Sequence, residues 1–295
     1  MSAIPIYIFH LGNHLYFQKC VAINSNFNKV HIIGDDSNKF TFKNNANVVH
    51  HHIDEFSTST EIQKMKTCFQ NYSTNAHTFE LLCFLRVFYL KELILKTSIT
   101  QFFHADSDCI VLEQLDKIPF ASAIAYSLQN HQQKNNQYHM AGSIHNALLN
   151  LDFCNTFITL CFDVYDNKSK MNLLQPKIDW HRATKSAGGI CDMTFYWLLH
   201  TEKLLQVNDL NTPRIINGEM CVFDHQLSNS YGYQSCSTFK KSAQGMKEIR
   251  TENNKLYFIT LNGLKIRTLS IHFQGGEKEL LAALPSNYLA KHERN

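Results

Sequence analysis

The sequence predicts an α/β protein that folds as one domain, with a mostly parallel central sheet flanked by helices. Short apolar runs alternate with helical patterns through the first half of the chain, and this order is typical of parallel strands joined by crossover helices. The chain has 295 residues, of which 44% are hydrophobic and 18% are charged. These values are ordinary for a globular protein with a substantial core.

The first half of the chain supplies four expected strands and two expected helices. The strands lie at residues 4–9, 29–35, 47–50 and 99–103, and the helices lie at residues 15–26 and 77–96. The longer helix is identified by apolar side chains that share one stripe: Leu81, Leu82, Leu85, Phe88, Tyr89 and Leu93.

The second half has a less regular pattern. We expect a loop at residues 127–138, a helix at 144–165, a polar connection at 168–185 and a helix at 190–200. Short strands are expected at 221–223, 256–260 and 268–273, and a last helix at 277–284. Because neither an internal repeat nor a low-complexity linker divides the sequence, we expect a single domain over residues 1–295.

Composition narrows the classes of function. The formal net charge of +3 is too weak to indicate nucleic-acid binding. No basic segment precedes the first apolar run, and the most apolar long stretch, residues 79–95, contains four charged side chains. The nine cysteines form no Cys-x-x-Cys pair. We therefore expect a soluble, cytoplasmic protein without a transmembrane segment, whose cysteines are mostly core residues.

An acidic triplet, Asp106-Ser107-Asp108, follows the fourth expected strand. Alternation along a strand points residues 106 and 108 to the same side, so that both carboxylates can bind one cation. Divalent Mn²⁺ or Mg²⁺ prefers such oxygen ligands, and a diphosphate can supply others. Ligands of open α/β sheets also bind beyond the carboxyl ends of the strands. The alternative interpretation is an ordinary surface turn, where Asp and Ser are common.

A second motif, His-x-x-Gly-x-x-Lys, follows the last expected strand as His272, Gly275 and Lys278. Imidazole can be a third protein ligand to an ion such as Mn²⁺. Glycine lets backbone N–H groups approach a phosphate closely, and lysine offers it a point charge. Alone, His272 is better explained as a satisfied histidine at a strand end. Together with the acidic triplet, it indicates a metal-bound diphosphate.

These motifs resemble those of GT-A-fold glycosyltransferases, and most of all the retaining family 8 type, the bacterial galactosyltransferase and glycogenin group. The resemblance implies that Asp106, Asp108 and His272 bind the metal. It implies a donor-nucleotide half at about residues 1–125 and an acceptor half at about 126–295. The side chains or backbone that would contact the donor are those of His10, Leu11, Asp35, Arg86, Asp106, Ser107, Gly275 and Lys278.

A third site lies at the start of the helix expected at 190–200, where Gly188-Gly189 precedes Asp192. The glycines allow the chain to pass close to a ligand, and a carboxylate is favoured in a first helical turn. Helix capping alone would also explain this aspartate. By the resemblance, Asp192 is the catalytic residue: a general base in an inverting reaction, or a contact to the donor sugar in a retaining one.

The leading hypothesis is a metal-dependent glycosyltransferase that uses Mn²⁺ or Mg²⁺. It would move a sugar from a nucleoside diphosphate donor, favoured by resemblance as a UDP-sugar, to a hydroxyl of a carbohydrate acceptor on a glycan or glycoconjugate. Two alternatives are a nucleotidyltransferase or metal-dependent phosphohydrolase, and a non-catalytic nucleotide-sugar-binding protein. Nucleotidyltransferases usually carry a Gly-rich loop with Lys or Arg after the first strand, and this chain lacks Lys and Arg at that place. Asp224 and His225 are interpreted as acceptor-side groups or as an ordinary turn.

Overall fold

The computed structural model describes residues 3–129, 138–228 and 238–284. Within them, helices cover α1 (Leu15–Asn24), α2 (Thr60–Cys68), α3 (His77–Thr97), α4 (Leu151–Tyr165), α5 (Gln175–Thr184), α6 (Asp192–Thr201) and α7 (Lys278–Ala283). The strands are β1 (Ile6–Phe9), β2 (Val30–Gly34), β3 (Val48–His52), β4 (Gln101–Ala105), β5 (Cys109–Val111), β6 (Ala125–Leu128), β7 (Gly142–Asn150), β8 (Asn208–Asp209), β9 (Arg214–Ile216), β10 (Glu219–Phe223), β11 (Ile249–Glu252), β12 (Lys255–Ile259) and β13 (Lys265–His272).

The central sheet has the strand order β3-β2-β1-β4-β7-β6-β8. β1 pairs in parallel with both β2 and β4, so Ile6 lies between Val30 and Phe103. β7 runs antiparallel to its neighbours β4 and β6, while β8 is parallel to β6. The prediction of a mostly parallel sheet flanked by helices is therefore confirmed, with β7 as the reversed strand.

Side-chain alternation along the strands divides the core into two layers. Tyr7 and Phe102 point to the face covered by α3, α4 and α6. Ile6, Ile8 and Phe103 point to the other face, which packs against α1, α7 and the second sheet. Helices thus cover both faces, as a sheet buried on both sides requires.

The second sheet, which the sequence analysis did not predict as a separate layer, has the order β11-β12-β13-β10-β9, and β5 pairs with the end of β13 outside this order. That pairing is antiparallel and sets His272 opposite Cys109. It matters for the site because β5 begins directly after the acidic triplet. The two expected halves of the chain therefore meet where the central sheet and the second sheet join.

The prediction of a helix at residues 144–165 is wrong for the first residues of that range. Residues Gly142–Asn150 form β7, a strand inside the central sheet, and only Leu151–Tyr165 are helical. A strand buried on both faces is a continuous apolar run, which periodicity does not distinguish from a helix. Asn150 marks the true boundary because its side chain accepts a hydrogen bond from the Phe153 N–H (3.0 Å) and caps α4.

Three other expectations differ from the structure. The connection expected at residues 168–185 contains the helix α5, which starts with Pro176 in its first turn. The loop expected at 127–138 begins inside β6, and residues 130–137 lie outside the described part. Helix α2 was not expected, because its mostly polar sequence buries only Ile62 and Met65.

Every helix in the described ranges is too short or too polar to cross a bilayer.

Candidate functional site

The acidic triplet forms the turn between β4 and β5. β4 ends at Ala105, and the Cys109 N–H donates to the Asp106 carbonyl (2.9 Å), which closes the turn. The reason offered from the sequence, alternation along a strand, is therefore wrong. A tight turn beyond the strand brings the two carboxylates together, and it lies at the carboxyl end of a parallel strand, as expected.

Asp106, Asp108 and His272 form the three-residue group suited to a metal ion. One ligand atom from each residue lies within 4.8 Å of the other two. Two ligands on opposite sides of an ion at about 2.1 Å are about 4.2 Å apart, so a small contraction closes the site. The pairing of β13 with β5 creates this group, because it brings residue 272 beside a turn more than 160 residues earlier.

His272 is held in the orientation that a metal ligand needs. Its Nδ1–H donates to the carbonyl of His225 (2.6 Å), and its Nε2 therefore faces Asp108 Oδ1 at 3.3 Å. The ring also stacks on His145, with 4.3 Å between centroids. Burial opposes the imidazolium form, but Asp108 outweighs it and raises the pKa of His272 to about 9. A metal at Nε2 would displace that proton.

Lys278, at the start of α7, completes this side of the site. Its Nζ lies 3.2 Å from Asp108 Oδ2 and 5.0 Å from the centre of the Tyr16 ring. Gly275 has φ +65°, and a Cβ there would meet nothing within 4 Å. The glycine is needed for the left-handed backbone of the turn, and the space beside it is open. The motif therefore places a cation next to Asp108, and the predicted contact of Lys278 with a diphosphate stays a prediction.

Arg86, on α3, joins the acidic triplet to the third predicted site. Its guanidinium contacts Asp106 Oδ1 at 2.6 Å and Asp192 Oδ2 at 2.8 Å. Burial opposes ionisation of Asp106, but Arg86 outweighs it and holds the pKa of that carboxyl well below its usual range. Asp106 and Asp192 are thus both carboxylates beside one cation. The structure shows that two aspartates hold Arg86 in place, and its expected contact with the donor stays a prediction.

Asp192 is the first residue of α6 and is almost fully buried. Oδ1 accepts the N–H of Met193 (2.9 Å), and Oδ2 accepts the hydroxyl of Tyr196 (3.1 Å) as well as Arg86. The capping interpretation is therefore wrong: the N-cap of α6 is Cys191, which makes no side-chain capping hydrogen bond, and Asp192 only places a carboxylate in the first helical turn. The contact with Arg86 adds that Asp192 belongs to the same charge network as Asp106, which capping alone does not require.

The glycine pair before Asp192 packs against protein backbone. Gly189 has φ +133°, and a Cβ there would lie 2.2 Å from the carbonyl oxygen of Tyr72. Ser73 forms a β-bridge with Gly189, and the Ile190 N–H donates to Tyr72 O (3.1 Å). The close approach predicted for these glycines is therefore made to the segment before α3, which fixes the start of α6.

The loop after β1 contacts the acidic triplet through His10. Its Nδ1 lies 2.9 Å from the Ser107 hydroxyl, and its Nε2 lies 3.1 Å from His14 Nδ1. Asp35, after β2, accepts the Gly12 N–H through Oδ2 (2.9 Å) and so supports this loop. Leu11 lies in the same loop and is partly exposed. Of these residues, all predicted at the donor nucleotide, His10 contacts the triplet directly, and the contact with a donor stays a prediction.

Two residues lie directly behind His272: Asp224, which the sequence analysis interpreted as an acceptor-side group or a turn residue, and His145, which it did not assign. His145 stacks on its ring, and Asp224 accepts the His272 backbone N–H (3.1 Å). The sequence offered a signal for Asp224, a polar residue directly after an apolar strand. It offered none for His145, which lay inside the segment expected to be helical.

Comparison with known proteins gives weak similarities. No family model and no curated protein matches the chain. A solved structure of mouse xyloside xylosyltransferase 1 is similar with a TM-score of 0.47 and 13% identity, over 70% of this chain and 85% of that one. A structure described as PaToxG glycosyltransferase has a TM-score of 0.41 and 14% identity, over 68% and 70%. At these values neither similarity assigns a function to this chain.

Proposed function

We propose that the chain is a metal-dependent glycosyltransferase that moves a sugar from a nucleoside diphosphate donor to a hydroxyl of a glycan or glycoconjugate. We propose UDP as the nucleoside diphosphate of the donor. The observation that carries the proposal is the convergence of Asp106, Asp108 and His272, with Lys278 beside them, at the carboxyl edge of the sheet. Two carboxylates, an imidazole and an adjacent ammonium suit a divalent cation together with an anionic ligand such as a diphosphate.

The donor set fits Mn²⁺ or Mg²⁺. Carboxylate oxygens suit both ions, and the Nε2 of His272 favours the transition metal. When bound, such a cation stabilises the charge on a departing diphosphate. Lys278 adds a second positive charge, 3.2 Å from Asp108, and the loop around His10 and Leu11 contacts Ser107 of the triplet through His10. We assign the nucleoside to this loop and the diphosphate to the neighbourhood of Lys278 and Gly275.

We assign Asp192 to the centre where the sugar is transferred. In the transfer, the bond between the sugar C1 and the phosphate oxygen breaks, the acceptor oxygen bonds to C1, and the acceptor hydroxyl loses its proton. Asp192 takes that proton if the reaction inverts C1. If the configuration is retained, Asp192 contacts the donor sugar and the departing phosphate oxygen takes the proton. Arg86 supports either role, since it links Asp192 directly to Asp106.

A screen of nucleotide sugars tests the function. Pentose and hexose donors are incubated with the protein and Mn²⁺, and released nucleoside diphosphate is measured with and without simple sugar acceptors. We expect Mn²⁺-dependent release of the diphosphate from one donor class. Release of monophosphate or of inorganic phosphate would support a nucleotidyltransferase or phosphohydrolase instead. Proton NMR of the product anomer then decides between inversion and retention.

Calorimetry with UDP tests the metal role separately. We expect UDP to bind tightly only with Mn²⁺, and Asp108→Ala to lose this dependence. The loss should exceed the roughly 10- to 100-fold that removal of an outer-shell partner costs. The matched control is Asp36→Ala, which removes an exposed carboxylate from the loop after β2. Equal UDP affinity with and without Mn²⁺ in the wild type would disprove the metal role.

A further inference from the structure

A fully buried ion pair lies behind the candidate metal ligand His272. The Lys247 Nζ is 2.5 Å from Asp224 Oδ1, and the two side chains are only 2% and 0% exposed. The ammonium also lies 5.2 Å and 5.0 Å from the ring centres of Phe239 and Phe258. Burying two charges costs several kcal/mol of desolvation each, so such a pair is weak evidence for stability alone. The contacts of Asp224 indicate what else the pair does.

Apart from Oδ1, which binds Lys247, the polar groups of Asp224 are bonded to the strands that carry the site. Its Oδ2 accepts the backbone N–H of His272 (3.1 Å), and its own N–H donates to the Ser270 hydroxyl (3.1 Å). Its carbonyl accepts a hydrogen bond from the Asn146 amide (2.8 Å) on β7. Asp224 therefore joins β10, β13 and the central sheet at the point where β13 delivers His272.

The regular pairing of β10 with β13 is interrupted here. Their register shifts between Val222 and Phe223, one residue before Asp224. The carboxylate of Asp224 takes the place of a ladder acceptor for the His272 N–H, and the next carbonyl, that of His225, holds the imidazole Nδ1 at 2.6 Å. Residues 224 and 225 thus fix both the main chain and the ring of His272.

We propose that Asp224 and Lys247 are positioning residues for His272, and that they hold its Nε2 toward Asp106 and Asp108 so that the three bind a divalent cation. The inference rests on the metal site proposed above. Asp224 acts by accepting the His272 N–H. Lys247 acts by neutralising the buried Asp224 carboxylate, whose unpaired charge would otherwise destabilise the fold. Neither residue is proposed to touch the cation or the substrate.

Two double variants separate positioning from the loss of charge. Asp224→Asn/Lys247→Gln replaces the ion pair by neutral amides and keeps an oxygen for the His272 N–H. Asp224→Ala/Lys247→Gln removes the same charges and also that oxygen. Mn²⁺ affinity is measured from the electron paramagnetic resonance signal of free Mn²⁺, without substrate, and folding is checked by circular dichroism and thermal unfolding.

We expect the Ala/Gln variant to bind Mn²⁺ about 10- to 100-fold more weakly than the wild type, the range for loss of an outer-shell partner. The Asn/Gln variant should bind nearly as well as the wild type. Equal Mn²⁺ affinity of the two double variants would overturn the proposal. If the Ala/Gln variant does not fold, the Asn/Gln variant decides alone: a tenfold loss with an intact fold contradicts positioning through the N–H.

A mutant cycle with His272→Ala tests whether the effect passes through His272. Once the imidazole is absent, the Ala/Gln change should cost little further Mn²⁺ affinity. An undiminished cost in that background would show a general effect on the fold and would refute positioning. Failure of the proposed function looks different: the wild type itself would then show no Mn²⁺ binding that Asp108→Ala or His272→Ala weakens.

Discussion

The carboxylates of Asp106 and Asp192 share one guanidinium. Arg86 contacts Asp106 at 2.6 Å and Asp192 at 2.8 Å, and so connects the metal turn to the start of α6. These two aspartates come from the ends of different elements, and each has its own local turn geometry. The shared arginine makes them one electrostatic unit, which is the basis of the first two predictions.

Replacing Arg86 by Met should destabilise the fold, because it leaves two neighbouring carboxylates without their cation. We expect the free energy of unfolding to fall by about 2–4 kcal/mol. This is below the roughly 3–5 kcal/mol for a fully buried pair, since 31% of the Asp106 side chain is exposed. Urea unfolding followed by circular dichroism measures the loss.

The control for Arg86 is Lys91→Met on the same helix, which breaks an ion pair with Glu61 and leaves one carboxylate without its cation instead of two. It should cost less than about 1 kcal/mol. Adding Asp192→Asn to Arg86→Met should recover part of the lost stability, since one unpaired carboxylate is removed. If Arg86→Met and Lys91→Met lower the free energy of unfolding equally, the claim that Asp106 and Asp192 depend on one shared cation is wrong.

Asp192→Asn should preserve UDP binding and reduce turnover steeply. The amide keeps the size of the side chain and one oxygen for the Met193 N–H, but it loses the oxygen that accepts from Tyr196 and Arg86, and it neither accepts a proton nor carries charge. We expect kcat to fall by about 10²- to 10⁴-fold, measured as release of the nucleoside diphosphate. Asp152→Asn, an exposed aspartate in the first turn of α4, is the control. Unchanged turnover in Asp192→Asn would remove this residue from the reaction.

Gly189→Ala should be far more damaging than Gly218→Ala, although both glycines have positive φ. Alanine in a left-handed conformation costs about 1–2 kcal/mol at either position. At Gly189 the new Cβ would also meet Tyr72 O at 2.2 Å, whereas at Gly218 it meets nothing within 4 Å.

We therefore expect Gly189→Ala to lower the unfolding temperature more and also to lower kcat, because it displaces the segment leading to Asp192. Gly218→Ala, in the hairpin between β9 and β10, should leave kcat unchanged. Equal losses of stability in the two variants would show that the contact with Tyr72 is unimportant.

Stability should fall as the pH falls from about 6.5 to about 4. His31 and His51 are buried and joined by a ring-to-ring hydrogen bond of 3.0 Å. Burial, with neighbouring positive groups, lowers the pKa of each to about 4, against about 6.5 for an exposed histidine. Between these values the unfolded chain binds more protons, so the contribution is complete above pH 6.5 and is lost as the pH approaches 4.

Urea unfolding across this pH range measures the effect. The double variant His31→Gln/His51→Gln should show a shallower dependence, because two of the protons taken up on unfolding are gone. His10 and His104, whose pKa values are also lowered to about 4, should leave a residual slope. An identical slope in the wild type and the double variant would contradict the prediction.

Local pattern identified most of the fold. Apolar runs and turn residues located β1, β2 and β4, and one-sided helical spacing located α3, because these signals depend on residues near each other in the chain. The same reasoning placed residues 144–150 in a helix, since a strand buried on both faces carries no alternation. It missed α2, whose polar sequence is helical but buries few residues.

Residue chemistry alone identified Asp106, Asp108, His272 and Lys278 as one group, because two motifs with matching ligand preferences point to the same cation and anion. Only the tertiary structure decided how they meet. β13 pairs with β5, and that contact between distant strands brings His272 to the turn after β4. The roles of Arg86 and Asp224 likewise depend on partners far away in sequence, and hydrogen bonds between such partners leave no periodic or local signal.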